Sequence, residues 1–173
     1  RTIYGSAAAQ QAAQSVVRRI ILDRPWKSRR AEEIRQMREH LEQTASDHNL
    51  KRGFGGTVDI EFVVQMLQLR HAQQFNEVLV PGTLDAIEAL RNTECLNEQD
   101  ATMLHESYVF LRSVESGLRL MNTTARHDLP DDPLELCKLA FLLGSPEPQE
   151  LVEKCQHFRQ ENRQRFERIF QEQ

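Results

Sequence analysis

An all-α bundle of roughly six or seven helices is the architecture predicted for this chain of 173 residues. Three observations predict it. Apolar residues recur at three-to-four spacing along most of the sequence. Helix start and stop residues separate those segments. No repeat, low-complexity tract or internal linker divides the chain, so 1–173 is expected to form a single helical domain.

The elements follow in order. Residues 6–23 carry Ala7, Ala8, Ala9, Ala12, Ala13, Val16, Val17, Ile20 and Ile21 as one stripe, and Pro25 ends that helix. Residues 27–46 place Ile34, Met37, His40 and Leu41 on one side. Glu32, Glu33, Arg35, Arg38, Glu39 and Glu42 alternate in sign on the rest, the pattern of a solvated face with i,i+4 support. From Val58 to about Gln74 the sequence is apolar on most sides, which predicts a central, buried helix. Pro81 suits the first turn of a helix running to about Arg91. Asn97 caps a long helix reaching about Met121, with Leu104, Tyr108, Leu111, Val114, Leu118 and Met121 inward. Asp132-Pro133-Leu134-Glu135 reads as cap, first-turn proline and returning glutamate, and Gly144 stops that short helix. Ser145-Pro146 opens the last helix, whose stripe is Leu151, Cys155, Phe158, Phe166, Ile169 and Phe170.

With 39% hydrophobic and 28% charged residues, the composition is that of a globular protein able to bury a core. No apolar run reaches the length of a membrane span, and no stretch reads as a secretory signal. The start at Arg1 rather than Met leads us to expect a fragment of something longer. A net charge of −4 argues against a nucleic-acid-binding domain, which would be basic. Cys95, Cys137 and Cys155 form no C-x-x-C pair and read as small core residues in a reducing compartment.

One segment departs from the helical pattern. Residues 51–62 read K-R-G-F-G-G-T-V-D-I-E-F, with three of the seven glycines inside four positions. Glycines can turn successive N–H groups toward one point, and a helix N-terminus beside them also favours anions. Lys51 and Arg52 add positive charge, so the stretch can hold a phosphate edge. It is neither a P-loop nor a dinucleotide fingerprint, since the spacing and the preceding strand are missing. Asp59 and Glu61 lie two apart in the first turn and so diverge by about half a turn. The plainer alternative is a tight turn, with both carboxylates complementing the helix dipole and Lys51 and Arg52 solvated.

K-R-G-F-G-G-T-V-D-I-E-F-V-V-Q-M-L-Q-L-R-H-A resembles the signature segment of the glutamine synthetase adenylyltransferase family. Y-V-F-L-R-S-V-E-S-G-L-R-L-M followed by H-D-L-P, and P-W-K at 25–27, resemble the same family in the same order. The resemblance implies a large bacterial cytoplasmic enzyme with two similar halves, each a nucleotidyltransferase core followed by a helical domain. One half transfers AMP from ATP, with Mg²⁺, to a tyrosine of glutamine synthetase; the other removes it by phosphorolysis. The signalling protein PII and glutamine regulate both. The chain looks like the helical domain, and its D-I-E-F looks like the C-terminal, transferase half.

Two departures from the family pattern stand out. Asn49-Leu50 occupies the place of an Asp-Ile pair. The catalytic G-S-x-x-D-x-D segment is missing, and two-metal phosphoryl transfer needs such close carboxylates. The chain alone is therefore expected to be inactive, with no catalytic or metal-holding residue and no bound cofactor of its own. Lys51, Arg52, Gly53, Gly55, Gly56, Asp59 and Glu61 are the candidates for docking on that core at the edge of its nucleotide. The expected partners are the core, glutamine synthetase and PII, with no nucleic acid and no membrane. The alternatives are a non-catalytic module binding PII-type proteins, or the helical domain of a PII uridylyltransferase.

Other charged groups read as structural. His71, His105 and His127 lack helical metal-ligand partners. Arg112, Glu115 and Arg119 form an ion-pair row. Arg159, Arg163, Arg165 and Arg168, diluted by Glu161 and Glu167, read as a solvated face. No triad of nucleophile, base and acid is indicated.

Overall fold

The computed structural model of the protein describes residues 4–122, 126–145 and 147–172. Seven α-helices and no sheet are found among them: α1 (Ala7–Leu22), α2 (Arg29–Glu42), α3 (Thr57–His71), α4 (Thr83–Asn92), α5 (Glu98–Met121), α6 (Pro133–Leu142) and α7 (Pro148–Gln171). A 3-10 turn, Asn76–Val78, lies between α3 and α4.

The central helix is α3. Val58, Ile60, Val63, Val64, Met66 and Leu67 are all buried, because α2, α4, α5 and α7 pack around it. The helix ends at His71, three residues earlier than the apolar run implies. Along α5, Asn97 accepts from Asp100 N at 2.9 Å, and Leu104, Leu111, Val114 and Leu118 face inward as predicted. Asp132 Oδ1 accepts from Leu134 N and Glu135 N, with Pro133 in the first turn of α6. All six apolar positions of the α7 stripe are buried.

Apolar burial falls into two clusters. One gathers α3, α4, the first half of α5 and the end of α7 around Met66, Leu90, Leu104 and Phe166. The other joins Leu50, the second half of α5, α6 and the start of α7 around Leu111, Leu118, Leu139 and Cys155. Leu50, just before the glycine-rich segment, is wholly buried in that second cluster.

Several expectations are corrected. Pro81 precedes α4 rather than entering it; Gly82, with φ of 102°, makes the turn and its carbonyl accepts from Ala86 N. The first-turn proline of α7 is Pro148, while Pro146 lies outside the described residues. Met37 is exposed, and the inward side of α2 is instead Ala31, Ile34, Arg38 and Leu41, one stripe at helical spacing. Arg38, read as solvated, is fully buried. The stripe of α1 forms its helix, capped by Ser6, but no α1 residue is buried.

Cys137 is exposed on α6 rather than in the core, while Cys155 is buried. Burial pushes the Cys155 thiol up from 9.0 to about 12. A thiol reagent at pH 8 should therefore label Cys137 within minutes and Cys155 only on unfolding. The folded state holds the Cys155 proton longer than the unfolded chain does, so this group's contribution to stability declines as pH rises above 9.0. Equal labelling rates at the two cysteines would show that α7 does not seal the second cluster.

Candidate functional site

The glycine-rich segment folds on itself before it meets any other element. Asn49 Oδ1 accepts from Lys51 N at 3.1 Å and Arg52 N at 2.8 Å, an Asx turn. Gly53 N reaches Asn49 O at 3.2 Å and Gly56 N reaches Gly53 O at 3.0 Å. Thr57 N and Val58 N, in the first turn of α3, donate back to Leu50 O at 3.0 Å and Lys51 O at 3.1 Å. Gly55 N donates to Asp59 Oδ2 at 3.1 Å. Each of these amides is thus engaged internally, so an anion at this turn would meet the side chains of Lys51 and Arg52 rather than a backbone cradle.

All three glycines of the turn are dictated by approach distance, and at Gly53 a Cβ would lie 2.4 Å from Asn49 O. Gly55 has φ of 65°, and a Cβ there would lie 1.8 Å from Arg159 O of α7. At Gly56 a Cβ would lie 2.5 Å from Lys51 O. The α7 backbone therefore runs directly against the turn, and it is tied there: Asn162 Nδ2 donates to Gly55 O at 2.9 Å, and Arg159 donates to Phe54 O and Asp47 O, each at 2.8 Å.

Behind the turn lies a buried ion cluster. Asp59, fully buried, pairs with Arg38 of α2 through Oδ1 and lies 3.1 Å from Arg163 Nε of α7 through Oδ2. Arg38 also donates to Gly53 O at 2.9 Å and sits 3.3 Å from Glu42, which pairs with Arg163. Arg163 stacks 4.8 Å from the centre of the Phe54 ring. Burial pushes the Asp59 carboxyl up from 3.8 to about 6, with Arg38 and Arg163 opposing it. Both Arg163 and Arg165, read from sequence as solvated, are buried; Arg165 Nε lies 3.1 Å from Asp100 Oδ1 of α5.

Asp59 and Glu61 do diverge. Asp59 turns back to the loop, whereas Glu61, partly buried, accepts from Tyr108 OH of α5 at 3.0 Å. Thr57 Oγ1 donates to Glu115 at 3.0 Å; Glu115 is itself buried and paired with Arg112 at 2.8 Å. His127 Nδ1 is 3.7 Å from Glu115, and burial pulls that imidazole below its ordinary value. The stretch around His127 also pairs with the chain before the turn. Leu50 N donates to His127 O at 2.7 Å and Leu129 N to His48 O at 3.1 Å. His71 stands at the end of α3 and His105 in the first half of α5.

Chemically, the site is a rigid turn held on four sides. What remains outward is Arg52, part of Lys51 and the Phe54 ring, 46% exposed. Among the described residues, no three His, Cys, Asp or Glu side chains converge in a way that would hold a metal. Sequence reasoning missed Arg38, Glu42, Glu115, Asn162 and Arg163. A signal for three of them was present: Arg38 stands on the apolar stripe of α2, and Asn162 and Arg163 stand four and three residues before Phe166.

The clasp is built from helices and the turns between them, and it defines a helical domain. Residues 25–173 match the family described as GlnD PII-uridylyltransferase, and the chain belongs to that family. Three of its relatives are called bifunctional glutamine synthetase adenylyltransferase/adenylyl-removing enzyme. The protein of Streptomyces coelicolor is 39% identical over 110 residues, 64% of this chain and 11% of the relative. That of Agrobacterium fabrum is 32% identical over 125 residues, 72% and 13%. That of Mycobacterium tuberculosis is 39% identical over 103 residues, 57% and 10%. The chain spans about a tenth of the length of these relatives. No described helix is long and apolar enough to cross a membrane.

Proposed function

We propose that this chain is the helical domain of an enzyme that transfers AMP from ATP to a tyrosine of glutamine synthetase, in its transferase half. The observation that carries the reading is the shared name of the relatives, at 32–39% identity. The domain completes the nucleotide cleft of a nucleotidyltransferase core and contacts glutamine synthetase and PII. Mg²⁺ and ATP belong to that full enzyme, where metal ions stabilise charge developing at the transferred phosphorus. Gly53, Gly55, Gly56 and Asp59 set the shape of the turn, Glu61 fixes its helix to α5, and Lys51 and Arg52 face the nucleotide-bearing core.

The test is made in the longer enzyme. Arg52→Ala and Lys51→Ala should each lower AMP transfer to glutamine synthetase by about 10-fold or more, the loss expected for a charge aimed at a phosphate. They should leave the melting temperature within a degree or two. Unchanged AMP transfer in both variants sinks the role of the turn. The family description supports a second reading, a PII uridylyltransferase domain. UMP transfer to PII without AMP transfer to glutamine synthetase would select it.

A further inference from the structure

Three cations and one imidazole meet where the glycine turn touches α5. Arg112 and Arg119 stand seven positions apart on α5 with Glu115 between them, so all three share one side of the helix. Arg112 uses one of its five N–H donors on Glu115 at 2.8 Å and is 40% exposed. Arg119 is exposed and Lys51 half-buried, and neither forms an ion pair with any described carboxylate. The ion-pair row expected on α5 therefore closes on Arg112 alone. Lys51 and Arg119 both act electrostatically on the His127 imidazole, which draws turn and helix into one charged neighbourhood.

The two carboxylates of that neighbourhood are already engaged. Glu115 is buried; Oε1 accepts from Thr57 at 3.0 Å and Oε2 from Arg112. Asp128 Oδ1 accepts from Ser46 and from Asn49, across the bridge that joins Asn49 to Asp128. His127 keeps Nδ1 enclosed, 3.7 Å from Glu115 and without a hydrogen-bond partner, while its side chain is 22% exposed. Burial, together with the charges of Lys51 and Arg119, holds the imidazole below its ordinary value against Glu115 and Asp128. Lys51 and Arg119 are thus left as cations without a counter-charge of their own, and Arg112 with spare donors.

We propose that the junction of the turn with α5 binds a chain of linked phosphates, whose oxygens accept from Lys51, Arg112 and Arg119 beside the imidazole of His127. Seven residues of helix separate Arg112 from Arg119 by about 10 Å, a span suited to linked phosphates rather than to one. Guanidinium and ammonium groups are the side chains that phosphate oxygens bind best. Buried Glu115 acts as a positioning residue, since it fixes Arg112 and ties α5 to Thr57 at the start of α3. The site deepens the role given above to Lys51 and rests on that reading for its use in an enzyme, whereas the binding is a property of this chain.

The test adds inorganic tripolyphosphate to this chain at low salt, where such attraction is least screened, and follows the imidazole signals by NMR from about pH 5 to about pH 9. His127→Gln identifies the His127 signal. At saturation the His127 titration should move up by about one pH unit, because the anion cancels the fields of Lys51 and Arg119. Arg119→Ala should keep the circular dichroism of the wild type, being exposed and unpaired, and weaken binding about 10-fold. Arg19→Ala removes an equally exposed charge from α1 and should change neither quantity. ATP should act like tripolyphosphate, since no contact to a base is invoked. A His127 titration that does not move overturns the proposal. So does an equal loss in Arg119→Ala and Arg19→Ala, which would mean diffuse attraction, or a response to ATP alone. Lowered AMP transfer by Lys51→Ala in the longer enzyme, with no response of His127 here, would sink this site and leave the enzymatic reading standing.

Discussion

Asp59→Ala should lower the stability of this protein by about 3–5 kcal/mol at pH 7, the loss expected when one partner of a buried ion pair is removed. The cause is the state it leaves behind. Arg38, wholly buried, and Arg163, nearly so, would face each other across an empty site without the carboxylate that both contact. Gly55 N would also lose its acceptor. The cluster itself supplies geometry more than stability. The Asp59 carboxyl titrates near 6 in the fold against 3.8 unfolded, so the folded state takes up the proton first. This group's contribution therefore falls as pH rises from 3.8 to 6 and is level above that. The double variant Arg38→Met with Asp59→Leu should accordingly be less damaging than Asp59→Ala alone. Urea unfolding of the three proteins decides it: a single-variant loss within about 1 kcal/mol of wild type would mean the cluster is wet and loosely held.

Gly55→Ala should cost about 2–5 kcal/mol, the second large effect. A left-handed φ of 65° penalises any Cβ by about 1–2 kcal/mol. The greater part is steric, because the new methyl would lie 1.8 Å from Arg159 O, which is backbone and cannot swing aside. Either α7 or the turn must move, at an overpacking cost of about 1–3 kcal/mol. Gly144→Ala is the control: its φ is 66° and no atom lies within 4 Å of the added carbon. It should lose only the conformational part. Equal losses at the two positions would show that the turn and α7 are not in contact.

The two effects also mark how the candidate site was legible. The glycine turn, Asp59 and Glu61 stand out in the sequence because glycines and carboxylates are sparse inside an apolar segment. Their partners do not stand out. Arg38 is one of several alternating charges on α2, and Arg163 one of four arginines on α7; local pattern ranks them with their solvated neighbours. The residues that bury them lie 15–21 positions away for Arg38, at Gly53 and Asp59, and more than 100 positions away for Arg163, at Asp59.

What the sequence determined by itself is the set of helices and most of their caps. Asn97, Asp132 and Gly144 act through hydrogen bonds and φ angles a few residues away, and three-to-four spacing selects the inward side of α5 and α7. Only the tertiary structure decided which polar groups go inside and which apolar ones stay out. Packing of α2 and α7 around the turn buried two arginines against one carboxylate. The bare stripes of α1 and α6 show the converse, since periodicity forms a helix but does not supply the surface that covers it.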